Sequence, residues 1–247
     1  MIKKITSVNN EYIKELSKLK QNKYRNQQQL FLVEGYHLVN EAKAANLLQT
    51  VLITNEEDYL KGINNILVSN NIIEKLAHTS SPQGIIGVVK MMQKPKLWGN
   101  KILLLDNVQD PGNIGTLIRT ALGFNLDLIV LGNGCADLYN DKTIRATQGA
   151  IFKIPILQES LDIVIPQIKQ MQIPLFGTSL TNAVKLESIP KPSRYALILG
   201  NEGSGVNPKY LQMTDQNIYV KTNKNLESLN VGVAGGIIMY YFNNSLD

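Results

Sequence analysis

The chain has 247 residues, a formal net charge of +5 and a hydrophobic fraction of 44%, which is typical of a globular protein with one large domain or two modest ones. One cysteine and two histidines exclude a disulfide framework and give no support to a metal centre. Residues 1–12 lack the apolar core of a secretory signal and the longest apolar run, residues 231–242, is too short to span a bilayer, so we expect a cytoplasmic protein without a membrane segment.

The N-terminal end of the chain concentrates the positive charge. Its first 25 residues hold seven basic and two acidic side chains, so the remaining residues are neutral overall. The spacing of Ile13, Leu16 and Leu19 predicts a basic helix over residues 10–24. A concentrated basic end suggests a polyanionic partner, and the alternative is a solvated helix face.

Residues 1–90 are predicted to form a small α/β domain. The expected elements are a polar loop at 21–29, strands at 30–33, 50–54, 65–68 and 85–90, and helices at 34–45 and 72–77. Residues 91–100 combine charges, a proline and a glycine without a clear period, which predicts a linker.

Strands and helices alternate over residues 101–247. We predict strands at 101–105, 127–131, 173–176, 195–199 and 217–221, and helices at 114–124, 142–150, 163–169 and 229–242. This alternation predicts an α/β domain with a mainly parallel sheet that is covered on both faces.

The first candidate functional loop, residues 106–115, joins a strand to a helix. The carboxyl end of a strand next to a helix N-terminus is a common ligand site in α/β proteins. The apolar stripe of the helix leaves Asn113 and Arg119 on its polar side. The alternative is that Asn113 only caps the helix and Arg119 is only a surface charge.

Two further loops contain glycines or polar residues at the end of a strand or the start of a helix. Residues 200–206 read Gly-Asn-Glu-Gly-Ser-Gly-Val, without the Lys-Ser/Thr of a phosphate-binding loop, and Glu202 is unusual in such a turn. Residues 227–231 read Glu-Ser-Leu-Asn-Val, and Ser228 is predicted to cap the last helix. That helix contains Gly232, Gly235 and Gly236, which predict close packing, and the alternative is an ordinary buried helix.

In this order and spacing, the three segments resemble the motifs of the SpoU (TrmH-like) family of SPOUT RNA 2′-O-ribose methyltransferases. Residues 31–42 resemble the family's substrate-binding domain, which has a ribosomal-protein L30e-like fold. The resemblance is to the subgroup acting on large-subunit ribosomal RNA. It implies S-adenosylmethionine as the cofactor, structured RNA as the partner, a C-terminal trefoil knot and a homodimer packed through the knot.

The resemblance also implies roles for individual residues. It assigns cofactor binding, mostly through backbone groups, to Gly200, Val220 and Leu229. It assigns catalysis or ordering of the site to Asn113, Arg119, Glu202, Ser228 and Asn230. One departure is visible, because residues 220–224 read Val-Lys-Thr-Asn-Lys where the family usually has Ile-Pro-(Met or Ile) and then a glycine. We expect backbone contacts to survive this change, whereas it leaves the shape of the loop open.

Two interpretations of the chemistry stay open at this point. Arg119 is either the general base or, as we prefer because removing a proton from a guanidinium is costly, a clamp for a phosphate and for the developing alkoxide. The alternative functions are transfer-RNA methylation, non-catalytic RNA binding and a nucleotide-dependent oxidoreductase. The last would need an acidic residue about 20 positions after the glycine-rich loop, and only Asp215 lies between that loop and Glu227.

Overall fold

The computed structural model describes residues 2–223, 225–226 and 228–243. The strands are β1 (Lys3–Ile5), β2 (Leu30–Glu34), β3 (Leu48–Ile53), β4 (Asn64–Val68), β5 (Ile85–Lys90), β6 (Lys101–Leu105), β7 (Leu128–Leu131), β8 (Ile156–Gln158), β9 (Leu175–Thr178), β10 (Val184–Lys185), β11 (Tyr195–Leu199) and β12 (Gln216–Tyr219). The helices are α1 (Glu11–Lys18), α2 (Asn22–Gln28), α3 (Tyr36–Ala44), α4 (Asn70–Leu76), α5 (Pro111–Gly123), α6 (Asp141–Thr147), α7 (Leu161–Gln170), α8 (Pro208–Leu211) and α9 (Val231–Asn243). None of the helices in these described ranges is long and apolar enough to cross a membrane.

The chain forms two compact units, and their boundaries differ from those of the predicted domains. One unit contains Met1–Gln93 and Tyr139–Phe152, and the other contains Lys94–Leu138 and Lys153–Asp247. The sequence predicted the segment around α6 as part of the C-terminal domain. It belongs instead with the first unit because the ring of Phe31 packs against Tyr139 and Phe152, with centroid distances of 4.8 and 6.3 Å.

The first unit has a five-stranded mixed sheet in the order β1-β4-β3-β5-β2. The single helix predicted over residues 10–24 is wrong, since α1 ends at Lys18 and α2 occupies most of the predicted polar loop. Arg25 explains the break. Its buried guanidinium donates hydrogen bonds to the carbonyl oxygens of Leu19 and Lys20 at 2.8 and 2.9 Å, which holds the turn between the two helices.

Three lysines of the basic N-terminal segment have partners within the unit. Lys14 and Lys18 pair with Glu11 and Glu15 at 2.9 and 2.6 Å. The ammonium group of Lys20 donates to the carbonyl oxygen of Ala77 at 2.9 Å. These cations therefore have less freedom to contact an external polyanion than the sequence suggested.

The second unit confirms the prediction of a mainly parallel sheet. Its seven strands are all parallel and follow the order β10-β12-β9-β11-β6-β7-β8. Strands β1, β8 and β10 and helix α8 were not predicted, because elements of two to four residues are too short to show a hydrophobic period. The trefoil knot stays a prediction.

Parallel strands present their carboxyl ends at one edge of the sheet. The loop after β6 and the loop after β11 leave from this edge side by side, because Leu105 and Leu199 are register partners. The loop after β12 leaves from the same edge. Two of the three candidate loops are thus brought together by strand register alone, although 94 residues separate Asn107 from Asn201.

Candidate active site

A cavity of about 540 Å³ lies at the carboxyl ends of β9, β11 and β12. This volume is within the usual range for small-molecule sites. Six of the eight predicted site residues are among the described residues that line it: Gly200, Glu202, Val220, Ser228, Leu229 and Asn230. The cavity therefore unites the second and third candidate loops.

Gly200 begins a tight turn that forms one wall of the cavity. The turn is closed by two backbone hydrogen bonds between Asn201 and Gly205, at 3.0 and 2.9 Å. A Cβ atom on Gly200 would lie 2.1 Å from the backbone nitrogen of Val206 and 2.2 Å from the carbonyl carbon of Gly205. Residue 200 must therefore be glycine for the turn to close.

The sequence did not identify Asp106, which holds both ends of this turn. Its backbone N–H donates to the carbonyl oxygen of Leu199 at 2.8 Å, and its carboxylate accepts from the N–H of Asn207 at 2.7 Å. Burial raises the pKa of Asp106 above its ordinary value, and the Asn207 hydrogen bond offsets part of that effect. The feature of the sequence that could have indicated this role is the position of Asp106 as the first residue after β6.

Asn201 was also missed, and it orders the interior of the turn. Its side-chain oxygen accepts from the N–H groups of Gly203 and Ser204, both at 3.0 Å. Its side-chain nitrogen donates to the carbonyl oxygen of Asn107 at 2.9 Å, which ties the turn to the first candidate loop.

A chain of side-chain hydrogen bonds joins all three candidate loops. The amide nitrogen of Asn113 donates to Glu202 at 2.9 Å, and the amide oxygen of Asn113 accepts from Asn230 at 2.9 Å. Asn230 also accepts from the N–H groups of Gly232 and Val233 at the start of α9. Asn230 therefore makes the capping contacts that were predicted for Ser228.

The carboxylate of Glu202 accepts several hydrogen bonds. Burial alone would raise its pKa, but hydrogen bonds from the Asn113 side chain and from the backbone N–H groups of Gln109 and Asp110 outweigh burial and lower the pKa below its ordinary value. Glu202 thus orders the first loop, and the helix cap there is Asp110, whose carboxylate accepts from the N–H of Asn113 at 2.9 Å.

Arg119 lies on the exposed, polar side of α5. Within the described ranges, it has neither a hydrogen bond nor an ion pair with another side chain, and it does not line the cavity. A guanidinium without internal partners remains available to an anion from outside.

The glycines of α9 pack within the chain. A Cβ atom on Gly235 would lie 2.6 Å from side-chain carbons of both Leu117 and Leu199, and one on Gly232 would lie 3.3 Å from Thr116. The sequence predicted close packing at these glycines, and Gly232 and Gly235 let α9 approach α5 of the same chain.

We expect Asp106→Ala to lower the free energy of unfolding by about 1 kcal/mol, because it leaves the part-buried N–H of Asn207 without its acceptor. Asp106→Asn retains an acceptor oxygen and should cost less. Urea unfolding of both variants measures the difference. An unfolding midpoint unchanged by Asp106→Ala would show that the hydrogen bond does not stabilise the turn.

An all-parallel α/β sheet with a backbone-lined cavity at its carboxyl edge places the protein among small-molecule-binding α/β proteins. Residues 100–240 match the model of the SpoU rRNA Methylase family. Residues 10–87 match the model of the MRM3-like substrate binding domain. The chain belongs to the SpoU rRNA methylase family and is an RNA methyltransferase.

Relatives match over the whole chain. It is 39% identical to the Bacillus subtilis 23S rRNA (guanosine(2553)-2′-O)-methyltransferase RlmP, over 97% of this chain and 99% of that protein. The structure of an AdoMet-bound rRNA methyltransferase from Sinorhizobium meliloti superposes with a TM-score of 0.88 at 26% identity, covering 100% and 99% of the two chains. The SpoU methyltransferase AviRb from Streptomyces viridochromogenes, at 20% identity, shares the fold with a TM-score of 0.86 over 96% and 98%.

The cofactor is S-adenosylmethionine, as predicted. The cavity fits such a molecule in size and chemistry. Because Gly200 has no side chain, the backbone groups of its turn are accessible from the cavity. Leu199, Val220 and Leu229 add apolar surface to the cavity wall. Apolar surface on part of the wall suits a reaction in which a sulfonium loses its charge, because less polar solvation has to be reorganised there.

Proposed function

We propose that this enzyme methylates a ribose 2′-hydroxyl of 23S ribosomal RNA in the cytoplasm. The observation that carries the proposal is the match over nearly the full length of both chains to the Bacillus subtilis 23S ribosomal RNA enzyme. The hydrogen-bond chain from Glu202 through Asn113 to Asn230 supports it, since these side chains order the loops around the cavity.

S-adenosylmethionine supplies a methyl group on an electrophilic sulfonium. The side chains of the protein then have to orient the ribose and assist removal of the proton from its 2′-hydroxyl. Arg119 carries a permanent charge, so we assign it to binding the neighbouring phosphate and stabilising the developing alkoxide, with the proton passing to that phosphate or to water. Ser228 lines the cavity and is assigned to the ribose, whereas Asn230 is assigned to loop order because both of its amide atoms are engaged.

Mapping of 2′-O-methylated nucleotides in RNA from cells with and without the gene tests the substrate. We expect loss of one site in 23S ribosomal RNA and no change in transfer RNA. Purified protein with labelled S-adenosylmethionine should then modify a transcript of that region, but not a copy with a single 2′-deoxyribose at the mapped position. A lost methyl in transfer RNA instead would overturn the proposed substrate.

A second part of the proposal is a homodimer formed through α9. Val233, Ile237 and Tyr240 are 52%, 38% and 56% exposed, and their spacing places them on one face of the helix. An apolar stripe on an exposed helix is typical of a protein interface.

We expect Ile237→Glu to shift the protein from dimer to monomer in sedimentation at micromolar concentration, because burying an unpaired carboxylate in the interface is costly. Ile163→Glu is the matched control, since Ile163 is a 51% exposed isoleucine on α7. A dimer that persists in Ile237→Glu, or a fully active wild-type monomer, would contradict the assignment of this face.

The first unit is proposed to bind RNA, as its match to a substrate-binding domain suggests. Deleting residues 1–90 would not test this role cleanly, because the deletion would remove Phe31 from its contacts with Tyr139 and Phe152. Charge substitutions on the intact chain are the cleaner test.

A further inference from the structure

Two lysines near the cavity have no assigned role. Lys185 ends β10 and Lys221 follows β12, and both are exposed. Within residues 2–223, 225–226 and 228–243, neither ammonium group has a hydrogen bond or an ion pair. They differ in this respect from Lys14, Lys18 and Lys20 of the N-terminal segment, which have internal partners.

The strand register places the two lysines close to each other. Lys185 is the register partner of Tyr219, and Lys221 lies two residues beyond Tyr219. Because β10 and β12 are parallel, both lysines lie at the carboxyl edge of the sheet, where the cavity is. Tyr219, between them, and Thr181, in the loop before β10, line that cavity.

The acidic groups near this edge do not cancel the two charges. Glu202 is held by three N–H donors from the first loop. Asp215 lies before β12, at the opposite edge, and accepts from the N–H of Leu175 at 2.7 Å. Exposed Glu187, two residues after Lys185, is the nearest acid along the chain. Among the described residues of β10, β12 and the turn after β10, the edge therefore has two unpaired cations, Lys185 and Lys221, and one exposed acid, Glu187.

We infer that Lys185 and Lys221 bind backbone phosphates of the RNA next to the target nucleotide. The inference rests on the proposed function, because it assumes that RNA enters at the cavity. Lys221 lies in the segment that departs from the usual family sequence, where Ile-Pro would offer no charge. Lysine at position 221 therefore adds a positive charge at the carboxyl edge of the sheet.

Measuring RNA affinity across a salt series tests this inference. The probe is a transcript of the host 23S ribosomal RNA, and the variants are Lys185→Gln, Lys221→Gln and the double variant. Each lost phosphate contact should reduce the slope of log affinity against log salt by about 0.7 to 0.9. Between 50 and 200 mM salt, the wild-type affinity should therefore fall about 7- to 12-fold more than that of the double variant.

Lys169→Gln is the matched control, because Lys169 is an exposed lysine in the last turn of α7 without a side-chain partner in the described ranges. Its slope should equal that of the wild type. The inference would be overturned if the double variant had the same salt slope as the wild type, whether or not its RNA affinity was lower. Loss of S-adenosylmethionine binding in Lys221→Gln at an unchanged salt slope would also overturn it. Methyl transfer by the wild-type protein is measured in a separate assay. If the proposed function is wrong, this assay detects no transfer to any RNA, whatever the salt dependence of binding.

Discussion

Replacing Arg119 with alanine should reduce methyl transfer on the order of 100- to 1,000-fold while leaving the fold and cofactor affinity intact, as for loss of a donor that stabilises a developing oxyanion. The structure supports the second half of this expectation, because Arg119 is exposed, has no partner in the described part of the chain and does not line the cavity. Single-turnover rates with saturating RNA, together with calorimetric titration of S-adenosylmethionine, measure the two effects separately.

Arg119→Lys distinguishes a clamp from a simple positive charge. A lysine ammonium cannot reproduce the two parallel hydrogen bonds that a guanidinium makes to phosphate, so this variant should also be slow. Near-normal turnover in either variant would remove Arg119 from the mechanism. A matching loss of cofactor affinity would place it in cofactor binding instead.

Gly200→Ala should abolish cofactor binding, because the new Cβ atom would lie 2.1 Å from the backbone nitrogen of Val206. The turn has to open, at a cost at or above the upper end of the ~1–3 kcal/mol that overpacking usually carries. Calorimetry with S-adenosylmethionine and thermal unfolding together check this. Wild-type affinity in a folded Gly200→Ala protein would contradict the role of the turn.

Gly236→Ala is the matched control for this steric argument. A Cβ atom there meets only the Thr120 methyl at 3.8 Å, which is ordinary contact. Alanine is also the better helix former by about 0.5–1 kcal/mol. This variant should therefore keep cofactor binding and be as stable as the wild type or more so.

Local patterns predicted the fold class well and some boundaries poorly. The buried strands β6 and β11 and the helices between them were recognisable because each is long enough to show its own period. Strands β1, β8 and β10 were missed because two or three residues show none. The break between α1 and α2 depends on Arg25, whose burial no local pattern indicates.

The sequence predicted which residues belong to the candidate site but not which of them are in contact. Asn113, Glu202 and Asn230 were chosen through family resemblance, and their catalytic roles stay predictions. Their hydrogen bonds span 89 and 117 residues of sequence, so only the folded chain could show that one amide joins both partners. Asp106 and Asn201 escaped notice for the same reason, since their partners lie 101 and 94 residues away.

The sequence by itself determined the parallel α/β class, the three loops at strand ends and the family, because these properties depend on local spacing and on motif order. Tertiary structure decided which groups meet. It assigned Tyr139–Phe152 to the first unit, turned the glycines of α9 toward α5 and left Lys185 and Lys221 unpaired within the described residues. Packing and charge pairing between distant segments decide such features, and a one-dimensional pattern contains no distances between residues that are far apart in the chain.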